Sequence, residues 1–421
     1  MIRLRGRGWL AMAGTMSLVA LAACTPGGSS SGESGGGELT WAIGGAEAQP
    51  GGLDQQIAKL WNKQNPDNPV KVERLPDEAD QQREQQALQL QAQDPKFDIL
   101  GVDTIWTGEY SQNGWIESLE DVRGDIEKVS LDGAFNSAVW DGKLWAAPFN
   151  TNAGFLYYRT DLVKEPPKTW DELCQMAKAA GQKTNIDGLI GQGSRYEGFV
   201  VNWLELYWGQ GGELFNDDQS AVAFDTDKAT KATEWLANAK EDGCLAPGYN
   251  TATEEEARNL FQSGKAVFMR NWPYAYGLIK EDKASPVRDK FDIAPLPSFE
   301  GNESVSSTGG FNNAVSAYSD NKEAAKKFVV WVSTNEEVQK MMATEASVPP
   351  TMASVYDDLK EDPVMALLGQ VLPQAKTRPP APTWNEISVE MQRALFAAYN
   401  GEGDPAQASD DVKSALEKAI Q

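Results

Sequence analysis

The sequence predicts an α/β fold divided between two domains. Strand-like and helix-like patterns alternate from residue 39 through the rest of the chain, as in sheets that are covered by helices. About 380 of the 421 residues follow a Gly/Ser-rich N-terminal stretch. Because a single hydrophobic core stops growing at roughly 250–300 residues, we expect two domains.

Five elements follow one another in β-α-β-α-β order near the start of this region. Residues 39–43 and 97–102 are short apolar strands, and valines at 70–72 alternate with charge as in a strand. Apolar residues recur at helical spacing over 53–61, and 77–93 is a long polar helix. This order predicts a parallel sheet covered by helices.

Three capping boxes, each a Thr followed three residues later by Glu, mark the starts of later helices. They occur at residues 169–172, 253–256 and 334–337. The second of these helices is predicted to end at Gly264, a C-terminal glycine, and a strand over 266–269 follows it. The second part of the chain is therefore predicted to be α/β as well.

The pattern breaks at three places. Residues 143–148 and 155–158 have strand patterns, and the polar segment 150–154 between them is predicted to be a turn that crosses between domains. Further breaks occur at residues 309–310, which are both glycine, and at 348–350.

The N-terminal segment has the organisation of a secretory signal. Three arginines precede an apolar run over residues 9–21, and small residues lead to Cys24. The Leu-Ala-Ala-Cys motif at 21–24 resembles the lipobox of bacterial lipoproteins, and a Gly/Ser-rich stretch follows at 27–37. A lone transmembrane anchor is the alternative, but about 20 apolar residues are needed to span a bilayer and this run is shorter.

The lipobox resemblance implies a signal peptide over residues 1–23 and a mature chain that begins at Cys24. Cys24 would be acylated, and residues 24–37 would form a flexible leash. We therefore expect an exported protein that is lipid-anchored at the extracellular face of the cell membrane.

Charge and composition exclude several classes of function. Removal of residues 1–23 takes away three arginines and no acid, so 61 acids would remain against 35 bases, a net charge of −26. Such a surface argues against nucleic acid or anionic lipid as a partner. The chain has no histidine, which excludes Ser-His-Asp and Cys-His nucleophilic sites and metal sites that contain histidine. Carboxylate-only chemistry, such as glycoside hydrolysis, survives this exclusion.

Two cysteines remain once Cys24 is assigned to a lipid. Cys174 and Cys244 are an even pair in a protein predicted to be exported, which favours one disulfide. Two buried free thiols are the alternative. Closing a loop of about 70 residues would stabilise the fold by roughly 4 kcal/mol in the chain-entropy model.

Six stretches, in this order and spread over nearly the whole predicted mature chain, carry a resemblance to a known family. They are residues 97–106 (FDILGVDTIW), 113–116 (NGWI), 142–149 (GKLWAAPF), 196–198 (YEG), 271–274 (NWPY) and 378–380 (RPP). With these stretches the chain resembles the extracellular solute-binding proteins of bacterial sugar ABC importers, and most nearly the trehalose/maltose-binding type of actinobacterial surfaces.

The resemblance implies a periplasmic-binding-protein-like fold: two α/β lobes, three interdomain crossings and a ligand cleft between the lobes. Lobe one would comprise residues 38–150 and 312–347, and lobe two 151–308 and 348–421. The protein would be a monomer without enzymatic activity, cofactor or metal. It would capture an α-linked disaccharide by lobe closure and deliver it to membrane permease subunits. Trehalose is the favoured ligand and maltose the next.

A sugar site needs polar groups for hydroxyls and flat apolar faces for C–H surfaces. The resemblance implies hydroxyl-binding roles for Glu47 and Asp103, although a loop acid and a helix cap are the respective alternatives. Asn150 and Asn152 lie on the predicted first crossing, where turn geometry alone could explain them. Arg74 matches a position near the cleft, or is an ordinary surface arginine.

Aromatic and basic candidates come from later in the chain. The resemblance implies that Trp272 stacks on a sugar ring, with Tyr274 beside it, whereas core packing is the alternative. Gly309 and Gly310 would present backbone amides, or act only as hinge glycines. Arg378 would clamp one sugar of a disaccharide, or be a solvated loop arginine.

Tyr196, Glu197 and Trp384 complete the candidates as second-tier cleft residues. Four other tryptophans fall in helical patterns and are predicted to lie in the core: Trp61, Trp170, Trp235 and Trp331.

Two other functions fit the sequence less well. A binding protein for a different solute, such as another oligosaccharide or a glycerophosphodiester, would need the same fold, and an extra basic residue in the cleft would favour the phosphodiester. A secreted glycosidase would need two carboxyls at a set separation, which Glu47, Asp103 and Glu197 could supply, but no glycosidase motif accompanies them.

Overall fold

Two larger β-sheets and one two-stranded ribbon organise the chain in the computed structural model, which describes residues 37–216 and 220–420. The strands are β1 (Leu39–Ile43), β2 (Val70–Arg74), β3 (Ile99–Asp103), β4 (Val139–Trp140), β5 (Lys143–Leu144), β6 (Ala147–Ala153), β7 (Phe155–Arg159), β8 (Asp187–Ile190), β9 (Ala266–Asn271), β10 (Phe291–Ala294) and β11 (Thr308–Val315).

Helices cover both sheets and make up most of the C-terminal region. They are α1 (Leu53–Gln64), α2 (Ala79–Gln91), α3 (Thr107–Gln112), α4 (Arg123–Glu127), α5 (Asp132–Ser137), α6 (Trp170–Thr184), α7 (Glu197–Gly209), α8 (Thr226–Glu241), α9 (Glu254–Gln262), α10 (Tyr274–Glu281), α11 (Lys322–Thr334), α12 (Glu336–Ala346), α13 (Val355–Asp358), α14 (Pro363–Val371), α15 (Trp384–Tyr399) and α16 (Pro405–Ala419).

The first sheet has the strand order β2-β1-β3-β11-β6. Strand β1 pairs in parallel with both β2 and β3, which confirms the parallel sheet predicted from the β-α-β-α-β pattern. Strand β11 pairs antiparallel with β3 and with β6. It enters the sheet from some 200 residues further along the chain, and no local pattern reveals such a pairing.

The second sheet has the order β10-β7-β9-β8, in which only β8 and β9 are parallel. The chain passes from the first sheet to the second at Gly154, between β6 and β7, and returns between β10 and β11. The α/β prediction is confirmed for both sheets. The residue bounds of the two lobes stay a prediction.

The capping predictions are right at two helices and wrong at the third. The Thr169 hydroxyl accepts the Glu172 N–H at 3.1 Å, and Thr253 with Glu256 forms the reciprocal box. Thr334, however, lies at the end of α11, where its hydroxyl donates to the Val330 carbonyl. Asn335 caps α12 instead and accepts the Val338 N–H at 3.1 Å.

The predicted polar turn at residues 150–154 is also wrong. Strand β6 continues to Ala153, because β11 pairs with it over this segment, and only Gly154 separates it from β7. Gly310 likewise lies inside β11, at a φ of 132° that suits glycine. A Cβ atom there would lie 2.3 Å from the Asn150 carbonyl oxygen, so β6 and β11 could not approach as they do.

Cys174 and Cys244 form a disulfide, as predicted, with their Cα atoms 4.9 Å apart. The bond ties α6 to the segment that follows α8. Of the predicted core tryptophans, Trp61 and Trp170 are buried, and Trp235 and Trp331 are half-buried and pack against the core. The Trp61 ring contacts Phe328, and Trp170 contacts Trp235 at a centroid distance of 5.2 Å.

The predicted signal peptide, the acylated Cys24 and the leash up to residue 36 lie outside the described residues. In the part of the chain that the structure does describe, none of the helices combines the length and apolar character needed to cross a bilayer.

Candidate ligand-binding cleft

One cleft of about 980 Å³, counting the part open to solvent, gathers residues from both sheets. Its lining comes from the loop after β1, the end of β3, strands β6 and β11, the start of α7 and the segment after β9. Ten of the thirteen predicted site residues line it: Glu47, Asp103, Asn150, Asn152, Glu197, Trp272, Tyr274, Gly309, Gly310 and Arg378.

Arg378 joins two of the cleft carboxylates. Its guanidinium is only 2% exposed and donates from Nη1 to Glu197 Oε1 at 2.6 Å, while Nη2 lies 3.5 Å from Asp103 Oδ1. Glu197 also accepts the indole N–H of Trp384 at 3.1 Å and the Ser388 hydroxyl. Burial of these charges is tolerated because each carboxylate faces a cation or several donors.

Asp103 has a structural contact as well as a place in the cleft. Its Oδ1 accepts the backbone N–H of Ile105 at 3.1 Å, so it shapes the turn that leads from β3 towards α3. The carboxylate also lines the cleft, beside Arg378. The two interpretations of this residue are therefore compatible.

Asn150 connects two strands that contribute to the cleft lining, β6 and β11. Its side-chain Oδ1 accepts the Phe311 N–H at 2.7 Å, which holds β6 to β11 where the register shifts. Asn152 and Gly309 are opposite each other in the same ladder.

Trp272 is supported from behind by an arginine. The Arg270 guanidinium carbon lies 4.1 Å from the Trp272 ring centroid, a cation–π arrangement. Arg270 is itself buried and forms a two-pronged ion pair with Glu205, with Nε 2.9 Å from Oε2. Arg270 thus covers one face of the indole, and the half-buried ring lines the cleft.

A glycine lies close beside this ring. A Cβ atom on Gly309 would lie 3.1 Å from the Trp272 ring atom Cη2, which is tighter than most packing contacts. A side chain at position 309 would therefore press on the indole and require it to shift by a few tenths of an ångström.

Tyr hydroxyls hold two further acids at the cleft wall. Tyr274 donates to Glu255 at 2.7 Å, and Tyr196 donates to Glu254 at 2.7 Å. Glu47 has no comparable donor from a side chain among the described residues. Burial, followed by the charges of Glu255 and Asp77, raises the pKa of Glu47 to about 7.

Three predicted residues do not line the cleft. Arg74 is exposed and forms an ion pair with Asp77 at 2.7 Å. Tyr196 and Trp384 are buried behind the lining, where they donate to Glu254 and Glu197 respectively. In this structure they position cleft acids rather than face the cavity.

Several lining or supporting residues were not predicted from the sequence. Arg270 is the one charged residue of β9 and Glu205 lies within a nearly apolar helix, so an isolated charge in each element was a usable signal. Phe149 and Phe311 line the cleft but resemble ordinary core residues in sequence. Asp54 also lines the cleft, but acids are common in the first turn of a helix, so its position in the sequence gave no signal.

The stability of the unliganded protein should fall as pH rises towards neutrality. Asp80, on α2, accepts the Gln392 amide at 2.9 Å and lies near the Glu197 backbone. Burial, then the charge of Glu197, raises the pKa of Asp80 from 3.8 to about 7. Between these values the folded protein holds a proton that the unfolded chain has released, so this contribution to stability is complete below pH 3.8 and is lost progressively as pH rises to about 7.

We expect the melting temperature to be higher at pH 5.5 than at pH 7.5 by on the order of 2 °C, and Asp80→Asn to reduce the difference. Differential scanning calorimetry without ligand measures both. Asp161, whose pKa is lowered by its hydrogen bonds to Arg159, works in the opposite direction only at more acidic pH. A melting temperature that rises from pH 5.5 to 7.5 would contradict this assignment.

Among residues 37–216 and 220–420, no group of three His, Cys, Asp or Glu side chains is placed to hold a metal ion. The lining presents carboxylates, amides, one buried arginine and a half-buried indole ring. Such a set of groups suits a small, neutral and strongly hydrogen-bonding molecule.

Comparison with known proteins agrees with this description. The model of the family "Bacterial extracellular solute-binding protein" matches residues 45–339. A probable ABC transporter-binding protein of Deinococcus radiodurans is 34% identical over 85% of this chain and 88% of its own. A maltotriose-binding protein of Pyrococcus abyssi is 26% identical over 74% of this chain and 67% of its own.

A solved structure shows the same architecture. The maltose-bound MalE3 of T. maritima superposes with a TM-score of 0.85 at 31% identity, covering 90% of this chain and 99% of that one. The fold and cleft together define a two-lobed receptor for a small solute. The chain belongs to the family of bacterial extracellular solute-binding proteins.

Proposed function

We propose that this protein is the substrate-binding lipoprotein of a sugar ABC importer and that it captures an α-linked disaccharide, with trehalose favoured and maltose next. One observation carries the proposal: the half-buried Trp272 ring lines a cleft that also holds Arg378 and carboxylates. An indole face binds the C–H surface of a sugar ring, and the polar groups bind its hydroxyls.

Arg378 has an unused donor. Its Nε–H is buried and has no hydrogen-bond partner among the described residues, although the other end of the guanidinium is held by Glu197. A hydroxyl or ring oxygen of the ligand would satisfy this donor. The residue therefore suits the clamp that the resemblance implies.

The charge of the lining disfavours an anionic ligand such as a glycerophosphodiester. Arg378 is the one basic residue of the described lining, against seven acids: Glu47, Asp54, Asp77, Asp103, Glu197, Glu254 and Glu255. A phosphate would be repelled by most of these groups, whereas a neutral polyol would donate hydrogen bonds to them.

In this mechanism the sugar binds in the open cleft and the lobes close on it by a hinge motion. The closed monomer then docks on the permease subunits, and a cytoplasmic ATPase supplies the energy. The acyl chain on Cys24 would keep the receptor at the extracellular face of the membrane, with residues 24–37 as its leash.

A thermal-shift panel on protein that begins at residue 38 tests the proposal. A ligand that binds only the native state raises its melting temperature by mass action. We expect trehalose to give the largest shift, maltose a smaller one, and glycerophosphocholine none. If only glycerophosphocholine raises the melting temperature, the ligand is a phosphodiester rather than a sugar. Release of glucose from either disaccharide would indicate a glycosidase instead.

A further inference from the structure

Asp54 carries a buried carboxyl without a partner at the wall of the cleft. It is the second residue of α1 and is 0% exposed, yet it lines the cavity. Neither Oδ1 nor Oδ2 accepts a hydrogen bond from any residue that the structure describes. Buried polar side chains almost always have a partner, so two orphaned oxygens on one carboxyl need an explanation.

Local structure does not supply that explanation. The start of α1 favours negative charge through the helix dipole. The first backbone hydrogen bond of α1, however, runs from the Gln56 N–H to the Gly52 carbonyl at 3.2 Å and does not involve the Asp54 side chain. Other acids at helix starts in this protein are satisfied differently: Asp225 accepts two backbone N–H groups, and so does Asp362.

The surroundings make the position of Asp54 unfavourable rather than favourable. Burial, together with the charge of Glu47, raises the pKa of Asp54 well above its usual value. The two arginines nearest to the neighbouring acids are already occupied, Arg74 by Asp77 and Arg258 by Glu255. In the unliganded protein nothing on the described chain compensates this carboxyl.

We propose that Asp54 is a ligand-binding residue, and that its carboxyl and that of Glu47 together receive adjacent hydroxyl groups at one end of the bound sugar. This inference rests on the proposed function and extends it, because it assigns part of the recognition to α1. A pair of hydroxyls supplies the donors that both oxygens of Asp54 lack. The unfavourable burial in the free protein is then relieved when the ligand binds, so Asp54 contributes to affinity at the expense of stability.

Asp54→Asn distinguishes this role from a structural one. The amide keeps the shape of the side chain, cannot ionise and has one acceptor oxygen in place of two. If Asp54 binds the ligand, the unliganded variant should melt at the same temperature as the wild type or above it, and its affinity for trehalose should fall by about tenfold, the usual cost of a lost hydrogen bond. If the charge instead supports the start of α1, the variant should be less stable than the wild type.

Asp171→Asn is the matched control. Asp171 is also the second residue of its helix, α6, but it is exposed and does not line the cleft. We expect this variant to bind trehalose as the wild type does. Calorimetric titration with trehalose and maltose, and melting curves without ligand, are measured for all three proteins.

The outcomes separate the inference from the proposed function. The role of Asp54 is overturned if Asp54→Asn binds the sugar with an affinity within twofold of the wild type. It is also overturned if the unliganded variant melts at a lower temperature than Asp171→Asn. If the wild type binds neither disaccharide, the proposed ligand is wrong. The unliganded melting curves then still test Asp54. If its carboxyl serves a ligand, Asp54→Asn melts at the wild-type temperature or above it; if its carboxyl is structural, the variant melts at a lower temperature.

Discussion

Trp272→Ala is expected to lower the affinity for the captured sugar by at least about tenfold, since aromatic anchors contribute most of the binding energy in such sites. The substitution removes the indole face that a sugar ring would cover, and it opens the Arg270–Glu205 ion pair to the cleft. Calorimetric titration with trehalose measures the change. The affinity of Trp272→Phe should lie between those of the wild type and Trp272→Ala, because a smaller aromatic ring remains.

Trp235→Ala is the control for this prediction. Trp235 is a partly buried tryptophan that packs on Trp170 and does not line the cleft. Its replacement should lower the melting temperature and leave the affinity of the folded protein unchanged. Equal affinities for Trp272→Ala and the wild type would remove Trp272 from the binding site.

Arg378→Met is expected to lower the free energy of unfolding by about 3–5 kcal/mol, because it leaves two buried carboxylates without their cation. Methionine keeps much of the apolar stem, so the loss reports on charge more than on volume. Glu197 would retain only the Trp384 and Ser388 donors, and Asp103 would lose its nearby guanidinium. Urea unfolding at pH 7.5 measures the change.

Two further variants test the reason for that loss. Adding Glu197→Gln to Arg378→Met should restore part of the stability, because it removes one of the uncompensated charges. Arg393→Met, which breaks exposed ion pairs with Glu390 and Asp411, should cost no more than about 1 kcal/mol. If Arg378→Met is no more harmful than Arg393→Met, the buried ion pair does not stabilise the fold.

The sequence was a good guide to residues whose chemistry is unusual for their position. An aspartate directly after a buried strand, a tryptophan before a proline and an arginine before two prolines were all singled out, and all line the cleft. It was a poor guide to Asp54, since an acid in the first turn of a helix is common, and to the pairing of Glu205 with Arg270, which lie 65 residues apart along the chain. Tyr196 and Trp384 were placed in the right region but contact the cleft acids from behind.

Local patterns alone predicted several helices, among them α1, α2, α6 and α9, the three parallel strands of the first sheet and the α/β class. They could do so because capping, periodicity and strand alternation act over a few residues. Only the tertiary structure decided that residues 150–153 are strand rather than turn, that β11 joins the first sheet, and that Arg270 lies beneath Trp272. These features depend on contacts between segments more than 100 residues apart or on side-chain packing in three dimensions, and a local pattern contains neither.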